Sequence, residues 1–565
     1  MSINFMKIRR IFTSCQQLSN VKSLRVLTLG ILSALLTALP GKAAENIYFQ
    51  YGPIVRSLPV RSLENFAKTG EIDEDLKFYF QVAKANDETK NKFRELLVKR
   101  LEFPPFEVSQ FFNSELGFDI LGRLGQYVQI PKRNNGKVAL RAGIVLAAFD
   151  SQGLTLLNFF KKLPVDMSVD VASSLQAFNQ LERVSKATEF FTQKMSSFSA
   201  QESKTDTSVD FAQLPDLRQP GRFGVTEQRW VLKDGSRNRQ FYVLVYQPQR
   251  WRAGKTPVLV ISHGLGSKPE DFARRAKHLA SYGFFVALPQ HPGSDAKQVE
   301  DLKDGLSGSY FLTSEFIDRP RDISFVIDEL ERRNQNSFGG RLNLQSVGVG
   351  GHSFGGYGAL AVGGATIDFD FLQQQCDRPF GYINTSLLLQ CRALQLPRQA
   401  YNFRDPRVKA VFAANPVNHA IFGPKGLSQV SVPVFLVGGS DDPATPVVFE
   451  QTQSFPLLSS PVKYLALAEG QAHINLANLD AGMTHTLNSI QGLSLADPFL
   501  LESYADAMLL AFFETHLVED SAYKPYMQSA YGEYLSQDQK FKVFLISEAS
   551  DNAVKDAIVE FKSKR

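Results

Sequence analysis

Four short stretches of the chain hold side chains that acyl chemistry could use. In "GVGGHSFGG" (348–356) Ser353 stands between Gly351 and Gly355. "GGSDDPATP" (438–446) offers Asp441 and Asp442, "EGQAHINL" (469–476) offers His473, and "SHGLGS" (262–267) is a glycine-rich loop. A serine hydroxyl is a weak nucleophile at neutral pH and needs a base; histidine is suited to take its proton. The histidine in turn needs a carboxylate to fix its tautomer and stabilise the imidazolium. Small residues beside the serine allow a strained turn in which helix and strand pass closely, which suits Gly351 and Gly355. A tetrahedral intermediate needs backbone N–H donors for its oxyanion. Phe354, directly after the serine, is one candidate donor, and Leu265 in the "HGLG" loop is the other.

The elements that must position these groups are apolar runs lying just before them. "TPVLVISHG" (256–264), "LQSVGVGGHS" (344–353), "VPVFLVGGSDD" (432–442) and "VKYLALAEGQAH" (462–473) read as buried strands. "FFVALPQHPG" (284–293) and "RVKAVFAANPV" (407–417) continue the series. Between them lie helical patterns at 267–283 and 318–333, and an apolar helix, 499–517, closes the series. Short apolar strands alternating with helices predict an α/β fold with a mostly parallel central sheet and flanking helices. Functional groups in such a sheet gather beyond the C-terminal strand ends, which is where the serine, the acids and the histidine stand. The run 228–248, around "DGSRN", predicts a hairpin.

Upstream, residues 45–195 predict a smaller, mainly α-helical domain after an extended entry, "NIYFQYGPIVRSLPV" (46–60). Within it Val171, Leu175, Phe178, Leu181 and Val184 recur at helical spacing, a face expected to pack on a neighbour. The polar stretch around 196–215 reads as a linker, 216–520 as the α/β domain and 521–565 as a C-terminal extension. Inside the α/β domain, 366–404 carries two apolar stretches, expected either to form a lid or pocket wall or to pack against the N-terminal domain.

The chain has 565 residues and a formal charge of +5. Residues 1–44 hold six basic and no acidic residues, an apolar core "VLTLGILSALLTAL" (26–39) and small residues at 41–45. This is the pattern of a secretory signal peptide, with a core short of the roughly 20 residues that span a membrane. Its removal changes +5 to −1, so the basic balance gives no argument for nucleic acid. An exported protein, in the periplasm or outside the cell, is expected, membrane-anchored if the leader is retained. Cys376 and Cys391, 15 residues apart, are then a candidate disulfide.

Of the eight histidines, His473 follows a strand late in the domain, where the base is expected; His485 is a rival from a loop. His263 is expected to shape the oxyanion loop and His352 to point away from the nucleophile. His291 and His419 read as structural, and His278 and His516 sit in helices. No pair has metal-ligand spacing with a third ligand, so neither metal nor other cofactor is expected.

Taken together, "SHGLGS" and "GHSFGG" resemble the α/β-hydrolase superfamily over roughly residues 215–520, in which nucleophile, acid and base follow in this chain order. Within it they look like the platelet-activating-factor acetylhydrolase and dienelactone-hydrolase-like branch. The whole chain resembles cyanobacterial hydrolases with an N-terminal helical domain of unknown function. The resemblance implies catalytic Ser353, Asp442 and His473, since Gly439-x-x-Asp442-x-x-x-Pro446 is similar to the superfamily's acid loop, leaving Asp441 as a turn residue. Two departures stand out. Dienelactone hydrolases use a cysteine nucleophile. Acetylhydrolases carry the acid one strand earlier, where this chain reads "VFAANPVNHAIF" (411–422), without a carboxylate. The expected activity is cleavage of a small-molecule acyl ester or lipid-like substrate, with peripheral membrane contact allowed and the number of subunits undetermined. An acyltransferase, a serine peptidase and a non-catalytic cell-envelope binding protein are the alternatives.

Overall fold

The computed structural model describes residues 43–378, 383–473 and 495–563. The leader expected over 1–44 therefore lies almost wholly outside the described residues, as does His485. The described chain divides into two compact units, one of residues 43–105 and 124–171, the other of 106–123 and the described residues from 172 to 563.

The first unit contains a five-stranded sheet in the order β2-β1-β5-β3-β4. The run "NIYFQYGPIVRSLP" turns back on itself at Gly52, which has a positive φ of 58°. It forms β1 (Asn46–Tyr51) and β2 (Ile54–Pro59), which pair antiparallel. β3 (Val128–Ile130), β4 (Asn134–Asn135) and β5 (Met167–Asp170) complete the sheet. Helices Val60–Thr69, Glu74–Val82, Asp87–Val98 and Leu156–Lys162 supply most of a core made from Ile47, Leu63, Phe66, Phe80 and Leu97. A mainly helical region was expected here; the sheet was not legible, because three of its strands are two to four residues long.

The second unit is built on nine strands in the order β14-β13-β12-β11-β10-β8-β9-β7-β6. β6 (Val225–Asp234) and β7 (Arg239–Pro248) form the expected hairpin. β8 (Thr256–Ser262), β9 (Phe285–Pro289), β10 (Leu342–His352), β11 (Val408–Ala414), β12 (Val434–Gly439) and β13 (Lys463–Ala468) are parallel. Helices cover both faces, so the central strands are apolar along their whole length rather than alternating; every residue of β8 is buried. One face packs Ile323, Val326 and Ile327 of the helix Glu315–Phe338, and the other packs Leu510, Phe512 and Phe513 of the helix Pro498–His516. The chain leaves β8 for β9 on one side, then returns to β10 on the other. The loops after β8 and β10 thus flank a crevice at a topological switch point.

Several boundaries differ from those read along the sequence. The helix Val171–Ser203 belongs to the second unit, and its buried positions are Ala187, Phe191, Met195 and Ser199. Leu175, Phe178 and Leu181, expected to pack, are 51%, 65% and 57% exposed. A helical period shows that one face is apolar but names no partner for it. The polar stretch read as a linker from 196 stays helical to Ser203, and Phe211 and Leu217 beyond it are buried in the sheet's core. Residues 521–565 are no appendage: β14 (Val543–Ser547) pairs antiparallel with β13 and closes that edge.

Candidate active site

β10 ends in a strained turn. Ser353 has φ 56° and ψ −118°, after which the helix Phe354–Val362 begins. A β-carbon on Gly351 would lie 2.1 Å from the carbonyl oxygen of Gly355, and one on Gly355 would lie 2.1 Å from that of Ser262. Both positions must therefore be glycine for strand, helix and β8 to approach as they do. The Ser353 N–H donates to the Ala414 carbonyl at 2.9 Å, locking the turn to β11.

Three strand ends converge on the serine. His473, five residues beyond β13, places Nε2 2.8 Å from Ser353 Oγ and Nδ1 2.8 Å from Asp442 Oδ2. Asp442 follows β12 and is buried. Its Oδ1 accepts from the N–H groups of Ala444 and Thr445 at 2.8 and 2.9 Å, and its Oδ2 accepts from Thr445 Oγ1 at 2.7 Å and from Asn415 Nδ2. Burial acts to raise its pKa, but the His473 imidazole and the Thr445 donors outweigh burial and hold the carboxyl well below the usual carboxylate range. An ionised carboxylate only accepts, so His473 carries its proton on Nδ1 and turns the Nε2 lone pair to the Ser353 hydroxyl. Asp441 is engaged elsewhere, taking a hydrogen bond from Ser440 Oγ at 2.6 Å.

Asn415, at the end of β11, stands where acetylhydrolases carry their acid, and donates to the acid one strand over. It is buried at φ 47° and also accepts from Gln471 Nε2 at 3.2 Å. Nothing but its place at a strand end signals this contact in the sequence.

The loop after β8 lies against the turn: a β-carbon on Gly264 would sit 3.4 Å from Ser353 Cβ. The Phe354 N–H opens a helix and so has no partner within it. Among the described residues, neither that N–H nor that of Leu265 has an acceptor. His263 is buried; its Nδ1–H donates to the Gly264 carbonyl at 2.8 Å and its Nε2 accepts from the His291 N–H at 3.2 Å. Burial, reinforced by the nearby Arg319 charge, pushes His263 well below its ordinary pKa.

His352 does not point away from the site. Its Nε2–H donates to the His473 carbonyl at 2.8 Å, with the two rings 4.8 Å apart. Burial first, then the neighbouring His473, push its pKa down to about 3, so it stays neutral. His291 is structural in a larger network: Nδ1 meets Asp322 Oδ2 at 2.9 Å and Nε2 meets Ser262 Oγ at 2.8 Å, all three residues buried. Among the described residues no three His, Cys, Asp or Glu side chains are grouped to hold a metal ion.

A cavity of about 570 Å³ opens at Ser353; Leu265, Phe272, Tyr310, His352, His473 and Met508 are part of its wall. No described residue of 366–404 is among its described lining. That segment is drawn elsewhere by the buried Glu450. One carboxylate oxygen accepts from Asn384, Ser386 and Gln390, and the other from the N–H groups of Asn418 and His419, at 2.9 Å each. A disulfide between Cys376 and Cys391 ties the segment to itself. Arg392 pairs with Glu115 and Asp119, at 3.2 Å each, within the second unit.

A family model described as an alpha/beta hydrolase of unknown function (DUF1400) matches residues 43–170. The match covers the first unit and residues 106–123 of the second, and does not reach the nine-stranded sheet. None of the curated proteins matches the chain. The strand order of the second unit, the switch-point crevice and the serine turn at the end of β10, beside that similarity, make this an α/β-hydrolase fold.

Proposed function

We propose that the protein is an exported serine hydrolase that cleaves carboxylic esters. The observation that carries this reading is the relay of two 2.8 Å hydrogen bonds from Ser353 Oγ through His473 to Asp442. Ser353 Oγ attacks the ester carbonyl as its proton passes to His473 Nε2, and Asp442 stabilises the imidazolium. The carbonyl oxygen, now an oxyanion, is held by the Leu265 and Phe354 N–H groups. His473 gives its proton to the departing alkoxide. Water, deprotonated by His473, then attacks the acyl-enzyme and releases the carboxylic acid, restoring the Ser353 hydroxyl.

An acyl ester or lipid-like substrate is supported by the apolar side chains in the cavity wall and by the resemblance to the acetylhydrolase branch. Export is supported by the basic, apolar and small-residue order of 1–44 and by the Cys376–Cys391 bond, which suits an oxidising compartment. The test is labelling by a fluorophosphonate with turnover of nitrophenyl esters of graded chain length. Wild type should label and turn over, and Ser353→Ala should do neither; equal labelling of both proteins would sink the reading. Product analysis with an added alcohol or a peptide separates the acyltransferase and peptidase alternatives.

A further inference from the structure

The oxyanion donors need something to hold them, and one buried side chain touches the peptide of the first and the ring of the second. Arg319, in the helix Glu315–Phe338, is fully buried behind the crevice. Its Nη1 donates to the His263 carbonyl at 2.5 Å and its Nη2 to the Gly264 carbonyl at 3.2 Å. Nε donates to Ser294 Oγ at 2.8 Å, and Nη2 also reaches the Ser294 carbonyl at 3.3 Å. That same Ser294 oxygen accepts the Gly266 N–H at 2.8 Å. The guanidinium carbon lies 4.6 Å from the centre of the Phe354 ring.

The Gly264 carbonyl and the Leu265 N–H belong to one planar trans peptide and point to opposite sides of it. Fixing the carbonyl therefore aims the N–H. Arg319 and His263 both donate to that carbonyl, and the next peptide is pinned through Gly266 to Ser294. The donated bonds also polarise the amide and strengthen its N–H as a donor. On the other side, the guanidinium faces the ring of the residue that carries the second donor.

We infer that Arg319 is a positioning residue that sets the direction of both oxyanion donors, Leu265 and Phe354, in the acyl-transfer reaction. The inference rests on the esterase reading above. Lysine would keep the positive charge beside Glu315, 3.8 Å away, but lose the fork that spans three carbonyls and a hydroxyl.

The test uses the full chain with nitrophenyl acetate as substrate and phenylboronic acid as a probe that forms a tetrahedral adduct on serine. In Arg319→Lys, kcat should fall about 10–100-fold, short of the roughly 10²–10³-fold cost of deleting an oxyanion donor. KM should stay within about threefold, since a group that acts only in the transition state leaves ground-state binding alone. The boronic acid affinity should weaken by the same factor as kcat. Ser294→Ala removes a single hydroxyl from the Arg319 cradle; it should show the same signature more weakly, and it decides the matter if Arg319→Lys fails to fold. An unchanged kcat, or a fall in kcat without the matching loss of boronic acid affinity, overturns the inference and leaves the esterase reading standing. If wild type neither turns over esters nor labels at Ser353, the esterase reading fails and the inference falls with it.

Discussion

The side-chain amide of Asn415 donates to Oδ2 of Asp442, the same oxygen that faces His473. A hydrogen bond to a charged group contributes about 1.5–3 kcal/mol. Asn415→Ala should therefore lower kcat for a nitrophenyl ester by about 10–100-fold, with little change in KM. Asn415→Asp sets a second carboxylate beside Asp442, which raises carboxyl pKa values. Its pH–rate profile should lose activity at higher pH than wild type on the acid side; an unshifted acid limb would count against the contact.

Gly355 and Gly308 make opposite predictions. An alanine at 355 drives its methyl into the Ser262 carbonyl, whereas nothing lies within 4 Å of a β-carbon at 308. Gly355→Ala should destabilise by about 3 kcal/mol or more through overpacking and abolish turnover. Gly308→Ala should match wild type in melting temperature and kcat. Thermal melts of the two proteins side by side decide this.

Two buried histidines, His263 and His291, and two half-buried ones, His352 and His419, make the protein sensitive to acid. Burial, before any nearby charge, holds His263 and His291 well below their ordinary range, His352 at about 3 and His419 at about 4. In the unfolded chain each takes up a proton near pH ~6.5. Below that pH the unfolded chain binds more protons than the folded one, so acidification favours unfolding. The stability is fully present above pH ~6.5 and is lost as pH falls toward the folded-state values. Each group costs up to about 1.4 kcal/mol per pH unit in that window. Circular-dichroism melts from pH 8 to pH 5 should show a flat plateau, then a steep fall beginning near pH 6; constant melting temperatures would contradict this.

The Cys376–Cys391 bond closes a loop with a sequence separation of 15, a length for which about 3 kcal/mol is expected. Cys376→Ser with Cys391→Ser should lower the melting temperature by several degrees. Because 366–404 is absent from the described cavity wall, kcat and KM should stay as in wild type. A changed chain-length preference in the double variant would show that the segment does reach the substrate.

The strand ends were legible because a sheet covered on both faces writes its strands as unbroken apolar runs, and the groups sit just after them. Ser353 was further marked by glycines that its turn requires. Arg319 was hidden for the opposite reason. In "DRPRDISFVIDELERR" it looks like one more helix charge, and its carbonyl partners lie 25, 55 and 56 residues upstream. The apolar stripe through Leu175, Phe178 and Leu181 misled because periodicity sets a face and not its partner. β14 was missed because a short antiparallel edge strand does not continue the strand–helix rhythm by which the other strands were recognised.

That edge strand sets an order in time on the assembly of the sheet. A growing chain that has emerged as far as Lys540 already contains the serine, the acid and the histidine. Yet the ladder that runs from Tyr464 to Ala468, five residues before His473, has no strand on its outer side until 543–547 arrives. A stretch made after all three groups is therefore the one that borders the strand leading to His473. Loss of 543–547 would leave a chain with every one of these groups in its sequence and a loosened grip on one of them. The placing of His473 is thereby coupled to the arrival of a distant strand.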